Sequence, residues 1–308
     1  MVLFITGLCE KGCWYCPISF ERKNKDKTYA NDRLVEKPED VLEEARMMSA
    51  LGTGITGGEA LLETDRVILY AKMLKSEFGD DHHIHLYTGT APSKQRLSRL
   101  KGLVDEIRFH PPHELWENIM DTDYIRAVKD AKELGMEVTI EVPSLPGLEL
   151  LIPALPLLDY LNINELEWSE TNAAAMRERG YSLEDDYHNA VPGAKEWAKE
   201  LLAADEKVHW CSSTFKDSVQ LRERLKRIAK NTARPFEEIT DDGTVIYGLW
   251  KNTGPVPDDL DEYICEIFDD RIELAWWLLT EYPDDFPGEK EIIERYPNNG
   301  MIVEVTPV

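Results

Sequence analysis

Cysteine is scarce in this chain of 308 residues: there are five, an odd number. An odd count in a long chain without an export signal argues against a disulfide framework. No apolar run approaches the roughly 18 residues that a membrane-spanning helix needs. The start, Met1-Val-Leu-Phe-Ile5, has no basic flank, and Leu8 rather than a small residue precedes Cys9. It therefore reads as a first strand in a cytoplasmic protein, not as a leader. Basic residues are in deficit, 35 Lys and Arg against 59 Asp and Glu, for a formal net charge of −24. Such an excess disfavours nucleic acid and suits a solvated or salt-adapted surface. No internal repeat or low-complexity tract is present, which sets aside repeat arrays and disordered linkers.

The charge is uneven. From Pro255 to Val308 there are 15 acidic and 3 basic residues, a net of −12, whereas Met1 to Asp40 carries 7 of each. Lys216 to Arg234 holds 7 basic and 2 acidic residues, a net of +5. A solvated helix face is its plain reading, and an anchor for phosphate or RNA is the other.

Three of the five cysteines fall within eight residues, Cys9-Glu-Lys-Gly-Cys13-Trp-Tyr-Cys16. A structural zinc site would want a fourth ligand, and Cys211 and Cys265 are far apart without partners at ligand spacing. A ferredoxin run would be closer spaced, with a fourth cysteine just behind it. Three thiolates on one loop instead suit three irons of a cubane iron–sulfur cluster, leaving the fourth iron open to a small molecule. Cys211 and Cys265 default to small buried hydrophobes. His82, His83 and His85 lie beside an Asp-Asp turn and read as ordinary histidines rather than as a metal set.

Short β-rich runs alternate with helical ones. Strands are predicted over Val2–Thr6, Gly54–Gly57, His83–Thr88, Glu106–His110, Glu137–Pro143 and Leu161–Trp168, with a further short strand around His209–Phe215. Helices are predicted over Pro38–Leu51, Thr64–Phe78, Ser93–Leu103, Thr122–Leu134 and Leu148–Tyr160. This order argues for an α/β fold on a parallel sheet. Parity sends Ile107, Phe109, Val138, Ile140 and Val142 outward beneath the helices and Arg108, His110 and Glu141 inward. The same argument along Leu161–Trp168 points Glu165 and Glu167 inward, Leu166 and Trp168 outward. The pattern changes after residue 205, and past the short strand come a basic helix, Lys216–Arg234, a hairpin about Asp241-Asp242-Gly243, an acidic helix over Leu260–Glu281 and a last strand over Met301–Val305. Two domains follow, residues 1–215 and 216–308.

The cysteine spacing, with Tyr15 before the last cysteine and Gly57-Gly58-Glu59 closing the second strand, resembles the radical S-adenosylmethionine (radical SAM) superfamily. The resemblance implies a partial (β/α)6 TIM-like barrel with a C-terminal α+β extension, the full eight-unit barrel being the competing geometry. It implies a [4Fe-4S] cluster on Cys9, Cys13 and Cys16, and S-adenosyl-L-methionine chelated to the open iron. Reductive cleavage of the sulfonium would give a 5′-deoxyadenosyl radical that takes hydrogen from a substrate. Gly57, Gly58 and Glu59 would cradle the amino end, and Thr88 would touch the methionine or ribose. Arg108 would hold the carboxylate, with a salt bridge to Glu141 as the alternative, and the turn from Val142 would lie beside the adenine. Tyr15, Glu141 and Glu165 complete the expected binding residues.

Leu161–Asn172 and His209–Asp217 make the whole chain resemble an uncharacterised archaeal group related to pyruvate formate-lyase activating enzymes. That group is expected to carry extra sequence ahead of the first strand, whereas here Met1 abuts it. The implied partners are a protein or small-molecule substrate, or RNA through the basic helix, and a low-potential electron donor such as ferredoxin or flavodoxin in an anaerobic cell interior. No membrane partner is expected. Cys211, beside Ser212 and Ser213, is a candidate hydrogen-atom donor. A non-enzymatic electron carrier or redox sensor is the remaining alternative, but it has no use for Gly57-Gly58-Glu59.

Overall fold

In the computed structural model, which describes residues 1–183, 185, 189–252, 260 and 263–308, the chain forms two compact units. The first comprises Met1–Ala45 with Ala50–Lys216, and the second Arg46–Ser49 with Asp217–Val308.

The first unit is built on a nine-stranded sheet: β1 (Val2–Phe4), β2 (Tyr29–Ala30), β3 (Arg33–Leu34), β4 (Gly52–Thr56), β5 (His83–Thr88), β6 (Glu106–Phe109), β7 (Glu137–Pro143), β8 (Tyr160–Asn164) and β9 (Val208–Cys211). Its order is β3-β2-β1-β4-β5-β6-β7-β8-β9. From β1 through β4 to β9 every pairing is parallel. Only the unanticipated β2–β3 hairpin runs antiparallel. Helices α1 (Glu39–Met47), α2 (Thr64–Phe78), α3 (Lys94–Ser98), α4 (Asp123–Glu133), α5 (Ala173–Glu178) and α6 (Ala194–Ala204) lie between strands. The segment from Leu148 is a 3-10 helix to Leu157. Pro153 and Pro156 inside it each lack a main-chain donor, so no regular α-helix forms.

Each strand alternates. Leu3, Ile55, Leu86, Ile107, Ile140, Leu161 and Ile163 are fully buried on one face, and the parallel register stacks them strand to strand. The same register aligns His85 with Glu106, Tyr87 with Arg108, Glu141 with Asn162 and Asn164 with Cys211 on the other face. One face is thus an aliphatic layer and the other is polar. The predicted strand Leu161–Trp168 ends early, at Asn164. Its parity argument fails there: Asn162 and Asn164 share the polar face with Glu141, while Glu165 to Trp168 lie past the strand.

The chain leaves β9 through a single turn, α7 (Ser213–Phe215), and a wide π-type turn at Lys216–Leu221. The second unit then begins with α8 (Arg222–Thr232). Its antiparallel sheet has β10 (Glu238–Ile239), β11 (Val245–Asn252), β12 (Cys265–Ile267), β13 (Ile272–Leu274), β14 (Gly288–Arg295) and β15 (Ile302–Pro307), with α9 (Trp276–Glu281) on it. The hairpin about Asp241-Asp242-Gly243 joins β10 to β11. The helix predicted over Leu260–Glu281 is a correction: only Trp276–Glu281 is helical. Cys265–Ile267 and Ile272–Leu274 pair as strands, and the Phe268 N–H to the Arg271 carbonyl closes their turn. Period-two alternation marks both runs. Residues 261 and 262 of that expected helix lie outside the described set.

Trp250, Ile272, Leu274, Leu279 and Cys265 are buried in this unit's core. Beside them Glu237 accepts from Arg234 (2.8 Å) and from Arg295, and Arg234 also reaches Glu273 (2.5 Å) and Glu266 (2.9 Å). Burial alone would raise the Glu237 carboxyl, but hydrogen bonds from Arg234 and the charge of Arg295 outweigh it and hold it below the usual carboxylate range. A carboxylate depressed on folding stabilises above its unfolded pKa and loses that contribution as pH falls through the folded value. Thermal melts are therefore expected to drop below about pH 4, and less steeply in Glu237→Gln. Equal slopes in the two proteins would refute this.

Candidate active site

The parallel strands place seven of the sequence-selected motifs at the strands' C-terminal ends. The cysteine loop follows β1, Gly57-Gly58-Glu59 follows β4, Thr88 ends β5, His110 follows β6, the Val142 turn ends β7, Glu165 follows β8 and Cys211 ends β9.

Cys9, Cys13 and Cys16 are all half-buried. The Lys11 main-chain N–H reaches Cys9 Sγ at 3.5 Å. Burial pushes the Cys13 thiol up, and the neighbouring Cys16 and Cys9 add to this. The loop is tied down at its far end: Asn172 Nδ2 donates to the Tyr15 carbonyl (3.1 Å) and the Glu167 carbonyl (2.9 Å), and Thr171 Oγ1 donates to the Cys16 carbonyl (3.1 Å). Asn172 is 1 % exposed, so these bonds are shielded from water. No periodic signal marks Asn172 or Thr171 as loop anchors.

Tyr15 is buried and its hydroxyl lies 2.9 Å from His110 Nε2. His110 Nδ1 lies 2.9 Å from the Glu141 carbonyl, which only accepts. Nδ1 therefore carries the proton, and Nε2 accepts from Tyr15. Burial holds His110 below its ordinary value and so neutral, consistent with that tautomer. The chain Tyr15–His110–Glu141 carbonyl couples the cysteine loop to β6 and β7.

The two glycines answer to the backbone. A Cβ on Gly57 would sit 2.6 Å from the Thr6 carbonyl oxygen, and one on Gly58 would sit 2.4 Å from that of Leu8. The Gly58 N–H donates to Thr6 (2.7 Å) and the Glu59 N–H to Leu8 (2.8 Å), so this segment lies directly against the entry to the cysteine loop. Glu59 is 2 % exposed. Its Oε1 accepts from Leu61 N–H (3.0 Å) and Thr88 Oγ1 (2.8 Å), and Oε2 from Gly89 N–H (2.8 Å). Burial raises its carboxyl despite these bonds. One lone pair of Oε2 takes no donor from the described residues. Thr88 serves Glu59 and Thr90.

Arg108 is where the structure departs most from expectation. Nε and Nη2 grip Glu106 (2.9 and 3.0 Å), while Nη1 meets both Tyr87 Oη and Glu141 Oε2 at 3.0 Å. Burial works against the guanidinium, but Tyr87, Glu106 and Glu141 together raise it well above its ordinary value. Four of its five N–H groups are thus spent inside the protein, and a bidentate grip on a ligand carboxylate is not available. The salt bridge with Glu141, the alternative given above, is present at 3.0 Å. Glu141 also accepts from Asn162 (3.0 Å) and Asn164 (2.7 Å). Neither asparagine was singled out from the sequence, although Leu161-Asn-Ile-Asn164 alternates cleanly.

Val142 is fully buried on the aliphatic face, opposite to Glu141, so only its main chain can face the polar side. Glu165 Oε2 accepts from Ser213 N–H (2.8 Å) and Oγ (2.9 Å), capping the turn after β9. Cys211 is half-buried, not buried, and shares the face of Asn164. Cys265 is buried as expected, at 6 %.

The Radical SAM superfamily matches residues 3–150, which run from β1 through β7. The chain belongs to that superfamily. It is 40 % identical over 263 residues, 81 % of this chain and 70 % of the other, to the "Putative glycyl-radical enzyme activating enzyme" of Methanocaldococcus jannaschii. It is therefore an activating-enzyme-like radical SAM enzyme. Residues 243–308 match a domain of unknown function, DUF8061. No helix among the described residues is long and apolar enough to cross a membrane.

Proposed function

We propose that this enzyme abstracts a hydrogen atom from a protein substrate to leave a radical on that substrate, as the name of its methanogen relative suggests. The carrying observation is the half-buried trio Cys9, Cys13 and Cys16 on one loop, tethered to Asn172 and laid against Gly57-Gly58-Glu59. The donor chemistry fits a [4Fe-4S] cluster: three thiols, one with a main-chain N–H aimed at its sulfur, and no fourth cysteine nearby in sequence. When bound, the cluster and S-adenosyl-L-methionine supply the electron and the adenosyl radical that removes the hydrogen.

The chain's own residues do the positioning. Glu59, through its remaining lone pair, suits the ammonium of the methionine moiety. Thr88 and Gly89 orient that carboxylate. Tyr15 and His110 fix the loop that carries the thiols. The polar face of the sheet is read as the lining of a partial (β/α)6-type barrel, with residues 1–215 as the catalytic part and 216–308 as an extension. The electron would come from a low-potential donor of the ferredoxin or flavodoxin kind.

Anaerobic enzyme given S-adenosyl-L-methionine and dithionite is expected to form 5′-deoxyadenosine. Addition of the cognate protein should yield a carbon-centred radical by electron paramagnetic resonance. A product radical carried by a small molecule, with no protein radical, would sink the substrate class. An enzyme that leaves the radical on its substrate needs no thiol to quench a product, so Cys211→Ser is expected to keep the protein-radical yield. A protein-radical yield that rises in the variant, per 5′-deoxyadenosine formed, would restore Cys211 as a hydrogen donor.

A further inference from the structure

The opposite end of the same sheet carries a second set of metal-binding groups. His83 and His85 lie on one face of β5, and the parallel register sets Glu106 of β6 beside His85. One nitrogen of each imidazole and one oxygen of Glu106 lie within 4.8 Å of one another. The sequence shows only the two histidines, because Glu106 comes from the neighbouring strand.

The hydrogen bonds of Glu106 leave one vacancy. Oε1 is filled by Arg108 Nε and Thr139 Oγ1 (2.6 Å), and Oε2 accepts from Arg108 Nη2. The second lone pair of Oε2 faces His83 Nε2 at 3.4 Å, too long for a good hydrogen bond. Two ligand atoms held tetrahedrally at roughly 2.0–2.1 Å from one ion stand about 3.3–3.4 Å apart. The His83–Glu106 separation matches that of two ligands sharing an ion, and a nitrogen of His85 lies within 4.8 Å of both.

Electrostatics allows a cation here despite Arg108. Within hydrogen-bonding reach the cluster sets two carboxylates, Glu106 and Glu141, against one guanidinium, an excess of one negative charge, with the Met1 ammonium acting on His85 from further off. Low dielectric makes such an excess costly until a proton or a metal offsets it. Arg108 and Thr139 would play the part that outer hydrogen bonds play at metal sites, fixing the carboxylate's orientation. His83 is open to solvent: it lines a cavity of about 340 Å³ with Asp81, Asp105 and Glu137. Gly54 matters too, since a Cβ there would lie 2.5 Å from His85 Nε2.

We infer that His83, His85 and Glu106 form a site for a divalent transition ion of the zinc class, with water in the fourth position. Two imidazoles and a carboxylate are the ligand set of many three-ligand zinc sites. Along β5, His83 and His85 lie roughly 17 Å and 10 Å from Thr88, at about 3.3 Å per residue. The site is therefore separate from the cysteine loop.

The test uses the full chain with Cys9, Cys13 and Cys16 changed to alanine, so that the loop contributes no metal, and Zn(II) as the probe. One equivalent is expected to remain after dialysis, with nitrogen and oxygen ligands by X-ray absorption. His83→Ala, a change at a half-exposed position, and Glu106→Gln should each weaken binding by at least about 100-fold, more than loss of an outer hydrogen bond does. Circular dichroism of the same variants checks folding. Absence of retained zinc would overturn the site, as would zinc that persists when His83 and His85 are both alanine.

Discussion

Replacing Cys13 with alanine is expected to remove most of the iron from anaerobically purified enzyme and to lower 5′-deoxyadenosine formation by at least about 100-fold. The estimate starts from outer-shell substitutions at metal sites, which cost about 10–100-fold, and a lost ligand costs more. Cys13 is the middle thiol of the loop, two residues from Tyr15, whose hydroxyl reaches His110. Its loss leaves two thiols that cannot hold three irons. Cys265→Ala serves as the control, because Cys265 lies in the core of the second unit and should leave iron content unchanged. Anchoring separates ligand loss from loop loss. Asn172→Ala keeps every thiol but frees the Tyr15 carbonyl, so it should release iron faster without changing the stoichiometry first loaded. Full iron and full activity in Cys13→Ala would remove the basis for the cysteine loop as the metal centre.

The fold and the site were legible to different depths, for physical reasons. Strands such as His83–Thr88 and Glu137–Pro143 alternate strongly, and their observed bounds coincide with those read from sequence. The second unit was harder. β14 runs Gly-Glu-Lys-Glu-Ile-Ile-Glu-Arg, a charged stretch with little strand propensity of its own. It is a strand because all eight residues pair with β11, a long-range cause that local pattern does not carry. In the site, spacing exposed the cysteines, and the family resemblance they carry pointed to Gly57 and Gly58, but contacts between strands were invisible. Glu106 shows this best: nothing in Glu-Ile-Arg-Phe says that it meets His83, Arg108 and Thr139 at once. Asn172 is similar, since it acts across 157 residues of chain on the Tyr15 carbonyl.

Arg108→Met is expected to destabilise the first unit by about 3 kcal/mol, near the lower end for removing one partner of a buried ion pair. The guanidinium is 20 % exposed, while the side chains of Glu106 and Glu141 are 5 % and 12 % exposed. Removing it strands two carboxylates in a poorly solvated space, and Tyr87 loses its partner at 3.0 Å. Glu106 is affected more. Burial would raise its carboxyl, and it is the hydrogen bonds from Arg108 and Thr139 that hold it below the usual range. Without Arg108 it should protonate more readily, so the stability deficit should shrink as pH falls toward 5. The sign follows from linkage: a carboxyl raised on folding binds protons that the unfolded chain releases. Arg108→Lys should recover part of the loss, since an ammonium restores charge but not the two-pronged grip on Glu106. A residue that held the methionine carboxylate would behave otherwise, raising the apparent Kd for S-adenosyl-L-methionine while leaving the unliganded protein's melting temperature alone. Urea unfolding of the unliganded variant, read beside cofactor titration, separates the two roles. Unchanged stability with weakened cofactor binding would return Arg108 to the binding site.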